Sequence, residues 1–270
     1  MTKLSEIIKT RKSVRTFDGR RISQEHRKEL EEYSKLIRNP FGIPVRFVFL
    51  DAKEYGLSSP VLAGEELYVA GITEKRPYAD VAYGYSFEKL VLRAWSYGIG
   101  TTWIGGTMKR EQFEKVAGVG TDEMMPCVSP LGYPANKKSL KESMMRKGIG
   151  ADNRLSIDKL FFADEWGKTL ITTDEMSDIL EMVRWSPSAV NRQPWRILFK
   201  DDVWHFYEKK DRGYESDKTG DLQKIDVGIA LCHFTMGVEE LGKNAVVTVS
   251  DPVVVVPDDV TYVASVKISI

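Results

Sequence analysis

The chain has 270 residues, 42% of them hydrophobic and 29% charged, which is enough to bury the core of one large domain or of two smaller ones. Thirty-nine basic residues balance thirty-nine acidic ones, so the composition excludes the strong net charge that recruits nucleic acid or an anionic membrane surface. The first residues are polar, and no apolar run reaches the roughly 20 residues that span a bilayer. Two cysteines without a metal-type spacing are typical of reduced core residues. We therefore expect a cytoplasmic protein with no metal site.

The apolar spacing before residue 136 predicts both helices and strands. Residues 4–8 have the i, i+3, i+4 spacing of a short amphipathic helix, which should bring Arg11 to its end. Ser23 is a suitable cap for a second helix. In chain order the predicted elements are helices at 4–8 and 23–37, strands at 47–50 and 67–72, a helix from 87 to near Gly98, and a strand at 126–134 that leaves through a turn.

Residues 136–154 are charged and contain glycine, so they are the best candidate for a linker. The pattern then restarts with a helix, for which Thr172 and Glu175 form a capping-box pair. The later predicted elements are a hairpin of strands at 196–199 and 203–207, a buried helix at 225–241, and strand-like segments at 245–250 and 261–270. Because helices and strands mix without strict βαβ alternation, we predict a layered α+β fold rather than a doubly wound sheet.

The chain also resembles itself. At an offset of 150 residues, PVRFVF at 44–49 aligns with PWRILF at 194–199, and the preceding helices follow the same register. At a shorter offset of 139, residues 90–98 align with 229–237. Internal repeats of this kind determine architecture. We therefore predict two degenerate repeats in one compact unit, a first half at 1–150 and a second at 151–270, which form a dimer within one polypeptide.

Arg11, Ser13 and Arg15 stand at the end of the first predicted helix. Their spacing puts two guanidinium groups and a hydroxyl on nearby faces, and such forks suit the oxygens of a phosphate group. One arginine could instead reach the O2/N1 edge of a flavin, where positive charge stabilises the reduced ring. Considered alone, the two arginines are also compatible with a solvated basic patch.

A second segment, PSAVNRQPW at 187–195, is dense in turn formers and in side chains that bond to nearby backbone. Such a loop can offer backbone amides, together with the side chain of Asn191 or Gln193, to the polar edge of a planar ring. The alternative is a well-capped loop that places Trp195 in the core.

Taken together, these segments resemble the motifs of the FMN-dependent nitroreductase superfamily. RKSVR at 11–15 is similar to its Arg-x-Ser-x-Arg motif, and residues 187–195 to its Pro-Ser-x-x-Asn-x-Gln-Pro-Trp motif. GIGTTWIGG at 98–106 resembles its Gly-x-Gly…Gly-Gly segment, and LGYP at 131–134 matches its Leu-Gly-Tyr-Pro. The resemblance implies a nitroreductase-like layered α/β sandwich and an FMN site that two subunits, here two halves, build together.

The implied FMN contacts divide between the two halves. The first half would supply Arg11, Lys12, Ser13, Arg15, Gly105, Gly106 and Lys137, with Lys138 beside it. The second half would supply Pro187, Ser188, Ala189, Asn191 and Gln193. Because each copy lacks the motif that the other retains, we expect one site per chain rather than the two equivalent sites of a symmetric homodimer.

The resemblance also implies a function: ping-pong transfer of hydride from NADH or NADPH, through flavin N5, to a nitroaromatic, a quinone or a similar acceptor. The cofactor carries this chemistry, so no catalytic side chain is predicted. The expected partner is a small-molecule acceptor, without nucleic acid or membrane, and the chain should be a monomer (a pseudo-dimer) or a weak homodimer. The alternative is a non-catalytic flavin-binding protein, or a pseudoenzyme that serves interaction on the same fold.

The three histidines receive structural interpretations. His26 lies in a charged helix and is expected to face solvent, whereas His205 and His233 are expected to be hydrogen-bonded structural residues.

Overall fold

The computed structural model describes residues 3–137 and 139–269. The first half contains a four-stranded sheet and its helices. Its elements are α1 (Leu4–Thr10), α2 (Gln24–Leu36), β1 (Val45–Asp51), β2 (Leu67–Glu74), α3 (Ala79–Ser96), α4 (Arg110–Ala117), β3 (Glu123–Met124) and β4 (Val128–Leu131). Every element predicted for this part of the chain is present, and α4 and β3 are additions that the apolar spacing did not predict.

The second half contains a five-stranded sheet and a long helix. Its elements are α5 (Leu140–Gly148), α6 (Ile157–Leu160), β5 (Phe161–Ala163), α7 (Asp174–Arg184), a 3-10 turn (Ala189–Asn191), β6 (Trp195–Lys200), β7 (Val203–Lys209), β8 (Glu215–Ser216), β9 (Gly220–Asp221), α8 (Leu222–Glu240), β10 (Asn244–Thr248) and β11 (Val260–Ser269). The predicted hairpin, buried helix and strand-like tail are therefore confirmed. The predicted capping box is wrong, because α7 begins after Thr173 and the hydroxyl of Thr172 lies 2.7 Å from that of Ser177.

Both large sheets share one arrangement. In the first, β1 and β2 form an antiparallel hairpin, and the strand that follows the long helix α3, namely β4, pairs with the other side of β2. In the second, β6 and β7 form the hairpin, and β11, which follows the long helix α8, pairs with the other side of β7. The second sheet extends further, with β5 beside β6 and β10 beside β11. The fold is thus a layered α+β structure, as predicted.

Helices α3 and α8 cross at two glycines. A Cβ atom on Gly84 would lie 2.0 Å from the carbonyl oxygen of Ile225, and one on Gly228 would lie 2.2 Å from that of Val81. Each glycine therefore faces the residue three positions before the other, so the two helices meet in equivalent ways at an offset of 144 residues. The offset of 139 predicted for this region is wrong. Because α8 is apolar nearly all round, its pattern carries little information about register.

The apolar core lies on both sides of these helices. One part, which includes Trp195, Phe206 and Phe234, packs between the second sheet and helices α7 and α8. Another part, which includes Leu30 and Phe87, packs between the first sheet and helices α2 and α3. Burial on all sides explains the composition of α8. Within the described parts of the chain, no helix combines the length and the apolar composition needed to cross a bilayer.

The predicted linker is packed against the body of the protein. It contains α5, which Ser139 caps by accepting a hydrogen bond from the amide of Glu142 at 3.0 Å. The side chain of Glu142 is buried, and its carboxylate accepts a hydrogen bond from the hydroxyl of Thr16 at 2.8 Å. The candidate linker therefore contacts the rest of the protein through Glu142, a charged residue that is buried.

Candidate functional site

The segment that carries the two motif arginines is held by backbone pairing. Helix α1 ends at Thr10, and the following residues run extended, with Val14 donating to the carbonyl of Thr101 at 2.9 Å. Gly100 is required here, because a Cβ atom on it would lie 2.7 Å from the side chain of Val14. Gly132 has the same role beside Phe17, where a Cβ atom would lie 2.8 Å from the ring. Gly100 and Gly132 therefore allow residues 11–17, which we call the arginine segment, to pack closely against the backbone at these two glycines.

Arg11 is a buried cation with little compensation. Its Nε lies 3.9 Å from Oε1 of Glu88, and its Nε and Nη1 have no hydrogen-bond partner among the described residues. Burial lowers the pKa of Arg11, opposed by the charge of Glu88 and reinforced by that of Arg146. A buried donor without a partner is costly, which makes this guanidinium a candidate to bind an anion.

Arg15 shows the same features less strongly. Its Nη1 is buried without a hydrogen-bond partner in the part of the chain that the structure describes. Burial lowers the pKa of Arg15, opposed by Glu142 and reinforced by Arg146. Two linker residues whose charges shift the pKa values of these arginines, Glu142 and Arg146, both belong to α5. This helix therefore lies beside the segment at 11–15.

The loop that contains residues 187–193 has a strained backbone. Val190, Asn191 and Gln193 have φ angles of 50°, 57° and 54°, in the left-handed region that a β-branched residue such as valine rarely enters. Ser188 stabilises this shape, since its hydroxyl accepts from the amide of Gln193 at 2.9 Å. The amide of Ala189 donates to the carboxylate of Asp226 in α8 at 3.0 Å. Strain of this kind persists where the surroundings enforce it, and it often accompanies binding sites.

The linker contacts the side chains of this loop. Nδ2 of Asn191 donates to the carbonyls of Gly150 at 2.7 Å and Asn153 at 3.0 Å. The amide of Leu155 donates to Oε1 of Gln193 at 2.9 Å. Of the two side chains that the resemblance assigned to flavin binding, Asn191 is thus hydrogen-bonded to the linker and Gln193 to Leu155, the residue directly after it.

Arg154 connects the linker to both motifs. Its Nη1 lies 3.4 Å from Oδ1 of Asn191, and its guanidinium stacks over the ring of Trp185 at 4.6 Å. Burial, together with the charges of Arg11 and Arg184, lowers the pKa of Arg154 to about 10. Arg154 therefore contacts the motif loop of the second half, and the charge of the motif arginine Arg11 of the first half acts on it. None of the sequence motifs contains Arg154. The charged composition of the linker was the one feature of the sequence that could have drawn attention to it.

The glycine pair of the first half lies near the start of α8. A Cβ atom on Gly105 would lie 3.3 Å from Sγ of Cys127 and 3.8 Å from the side chain of Leu222, whereas no described atom would lie within 4 Å of one on Gly106. Since Asp226, one turn further along α8, holds the loop through Ala189, the glycine pair and the loop converge on the same end of this helix.

The remaining predicted residues differ in exposure. Lys12 and Lys137 are exposed, Ser13 is half-buried and bridges to Thr101, and Pro187 and Ser188 are half-buried; Lys138 lies outside the described residues.

Comparison with known proteins assigns the family. The model of the family described as "Putative TM nitroreductase" matches residues 3–238, which is most of the chain. The chain belongs to this nitroreductase family. The crystal structure of a protein described as a putative nitroreductase from Thermotoga maritima has the same fold, with a TM-score of 0.64 at 21% identity over 98% of this chain and 93% of that chain.

A relative in sequence is the "Putative NAD(P)H nitroreductase acg" of Mycobacterium tuberculosis. It is 31% identical over 78 residues, which are 28% of this chain and 24% of that protein. The alignment therefore spans about a quarter of the relative's length.

A buried polar network joins the two halves of this nitroreductase-family chain. Nε2 of His233 lies 3.0 Å from Oε1 of Glu88, the same oxygen that Arg11 faces. Nδ1 of His233 lies 3.0 Å from the hydroxyl of Ser186, which directly precedes the loop, and 3.0 Å from the carbonyl of Met182. His233 is therefore a hydrogen-bonded structural residue, as predicted. The network fixes the arginine segment relative to the loop.

The other two histidines have different outcomes. His205 is buried, and its Nδ1 lies 2.7 Å from the hydroxyl of Ser265, in agreement with a structural role. The prediction that His26 faces solvent is wrong. Its ring stacks on that of Tyr97 at 4.9 Å, and its Nδ1 lies 3.1 Å from the hydroxyl of Tyr133. Although α2 is charged, the side chain of His26 contacts Tyr133 of the Leu-Gly-Tyr-Pro segment instead of solvent.

Proposed function

We propose that the chain is an FMN-dependent oxidoreductase that accepts hydride from NADH or NADPH. One FMN per chain would bind between the arginine segment of the first half and the loop at 187–193 of the second. The observation that carries this proposal is the pair formed by the buried Arg11 and the half-buried Arg15, which have buried donors (Nε and Nη1 of Arg11, Nη1 of Arg15) without partners among the described residues. Such donors fit the phosphate or the electron-rich ring edge of FMN.

The residues present fit FMN in kind. Arg11 and Arg15 would hold the phosphate or face the pyrimidine edge of the ring, and Ser13 would add a hydroxyl donor. Gly106 leaves open space for a planar group beside the start of α8. When bound, FMN supplies the hydride chemistry, and the protein provides binding, orientation and positive charge. No side chain is assigned as an acid, a base or a nucleophile.

The side chains of Asn191 and Gln193 have a second function in this proposal. Because both are hydrogen-bonded to residues 150–155, their contact with FMN requires the linker to move. Until it does, they hold the linker against the loop. The backbone of the loop is already fixed by Ser188 and Asp226 and does not depend on that movement.

The proposed substrates rest on the relatives. The Mycobacterium tuberculosis relative is named an NAD(P)H nitroreductase, which supports NADH or NADPH as donor and a nitroaromatic, a quinone or a similar small molecule as acceptor. The equivalent sheets and the glycine crossing of α3 and α8 support a pseudo-dimer with halves at 1–150 and 151–270. A chain that contains both halves would act as a monomer or a weak homodimer in the cytoplasm.

FMN uptake and anaerobic reduction test the proposal. Purified protein should be yellow, or should become yellow on addition of FMN, and NADH or NADPH should bleach the flavin absorbance in the absence of oxygen. A colourless protein that takes up no added FMN would contradict the proposal. A bound flavin that neither nucleotide bleaches would instead favour a flavin-binding protein without turnover.

A further inference from the structure

The linker arginine Arg154 is held in place by interactions that leave one donor open. Its Nη1 donates to the carbonyls of Ala151 at 3.0 Å and Asn153 at 2.7 Å, and its guanidinium stacks on Trp185. Its Nε is buried and has no hydrogen-bond partner within residues 3–137 and 139–269. An arginine fixed by stacking and by carbonyls, with a buried donor remaining, is preorganised to bind a further acceptor.

The charges around Arg154 are not balanced. Arg184 has its own carboxylate, with Nε 2.6 Å from Glu181, and Arg146 pairs with Asp152. Arg11 has only Glu88, at 3.9 Å, and that carboxylate also serves His233. Arg154 has no carboxylate within 4 Å among the residues that the structure describes. The buried guanidinium of Arg11 and the half-buried one of Arg154, which the charge of Arg11 influences, therefore have too little negative charge around them, which a dianion would supply.

We propose that Arg154 binds a phosphate-type dianion together with Arg11, so that the linker forms a third wall of the site beside the arginine segment and the loop. This inference rests on the proposed function only for the identity of the ligand, which would be the 5′-phosphate of FMN. The 2′-phosphate of NADPH and free phosphate have the same chemistry. The site is thereby a specificity element, because it favours a phosphorylated flavin over riboflavin.

The assignment gives the connection between the halves a chemical role. Neither the arginine motif nor the loop contains Arg154; its side chain contacts Asn191 of the loop, and the charge of Arg11 acts on it. A chain that joins its halves through residues 136–154 can keep a binding residue at the end of that connection, at Arg154.

The test compares Arg154→Gln with Arg38→Gln. Arg38 is an exposed control whose guanidinium also donates to carbonyls, those of Lys35 and Ile37. Dissociation constants are measured for FMN, riboflavin, NADPH and NADH, and the midpoint of thermal unfolding is measured with inorganic phosphate against chloride at equal ionic strength. Arg154→Gln should weaken FMN binding at least about tenfold, as expected for loss of a charge-assisted bond, and leave riboflavin binding within about twofold. Phosphate should raise the unfolding midpoint of the unchanged protein and of Arg38→Gln but not of Arg154→Gln.

The possible outcomes are distinct. Equal FMN and phosphate binding by Arg154→Gln and the unchanged protein would overturn the inference while leaving the proposed function intact. A loss confined to NADPH would overturn the assignment to FMN phosphate. Phosphate binding that depends on Arg154 in a protein that takes up no FMN would support the anion site and refute the proposed function. Binding of neither phosphate nor FMN would refute both. Arg154→Lys, which keeps the charge, should give an intermediate FMN affinity, and this comparison remains decisive if the glutamine variant folds poorly.

Discussion

The two halves of the molecule share a scaffold but not a chemistry. Each has a hairpin, a long central helix and a return strand, and the helices cross at Gly84 and Gly228 in equivalent ways. The motif arginines with open donors, Arg11 and Arg15, lie in the first half, and the strained loop lies in the second. In a symmetric dimer both subunits must carry both parts, because every site is repeated. A single chain is free of that requirement, so each half can lose one part.

The first prediction tests the shared scaffold and has the largest expected effect. Gly84→Ala and Gly228→Ala should each lower the free energy of unfolding by about 3 kcal/mol, because a Cβ atom at either site would meet a backbone carbonyl that cannot move independently. Chemical denaturation measures both. Gly148→Ala is the control, since no described atom lies within 4 Å of its added Cβ, and it should change stability by less than about 1 kcal/mol. A large loss at only one of the two crossing glycines would break the equivalence of the halves.

The second prediction tests the difference in chemistry. Arg11→Met should weaken FMN binding about 100-fold, because it removes the buried guanidinium that is proposed to bind the ligand. The same change should not destabilise the flavin-free protein, since it replaces a poorly compensated buried charge by an apolar side chain of similar length. Fluorescence titration and thermal unfolding give the two readouts. A fall in stability together with unchanged FMN affinity would show that Arg11 is structural.

The third prediction concerns the loop in the second half. Asn191→Ala should lower the free energy of unfolding by about 1–2 kcal/mol, because it removes three hydrogen bonds to the linker, those with Gly150, Asn153 and Arg154. Hydrogen exchange of residues 150–155 should become faster. Arg192→Ala, at the exposed neighbouring position, should leave that exchange unchanged. If the amides of residues 150–155 exchange hydrogen at the same rate in Asn191→Ala and in the unchanged protein, other contacts hold the linker.

The fourth and smallest prediction compares one position in the two hairpins. Thr73 faces Val45 in the first, and Glu208 faces Trp195 in the second. Glu208 is buried, its carboxylate oxygens have no hydrogen-bond partner in the described part of the chain, and burial together with Asp221 raises its pKa to about 8. A raised carboxyl pKa means that the folded state binds more protons, so stability falls as the pH rises from about 4.5 toward 8.

Glu208→Gln should remove part of that fall, about 1 kcal/mol, and thus flatten the dependence of unfolding free energy on pH over this range. Thr73→Ser, which keeps the hydroxyl that donates to the carbonyl of Pro44, should leave the dependence unchanged. An unaltered slope in Glu208→Gln would show that this carboxyl is not the source.

Local pattern was sufficient for much of the fold. The hairpins, the long helices and the arginine and loop motifs follow from apolar spacing and residue order, because those signals lie within a few residues of each other. The register of α8 against α3 could not be read in this way, because a helix that is buried on all sides has no preferred face. Only the close approach at Gly84 and Gly228 reveals it.

The packing of the linker could not be predicted from the sequence either. Its charges are typical of a solvated segment, yet Glu142 contacts Thr16, and Arg154 contacts Asn191, both through long-range pairs. Those contacts depend on where the two halves place their motifs relative to each other. Residue types alone do not determine that placement.

The number of FMN molecules bound per chain tests the central claim most directly. Protein saturated with FMN and freed of excess should release close to one FMN per chain on denaturation, and Arg11→Met should release far less under the same conditions. A ratio near two would contradict the division of one site between the halves, and a ratio near zero for the unchanged protein would contradict the flavin site itself.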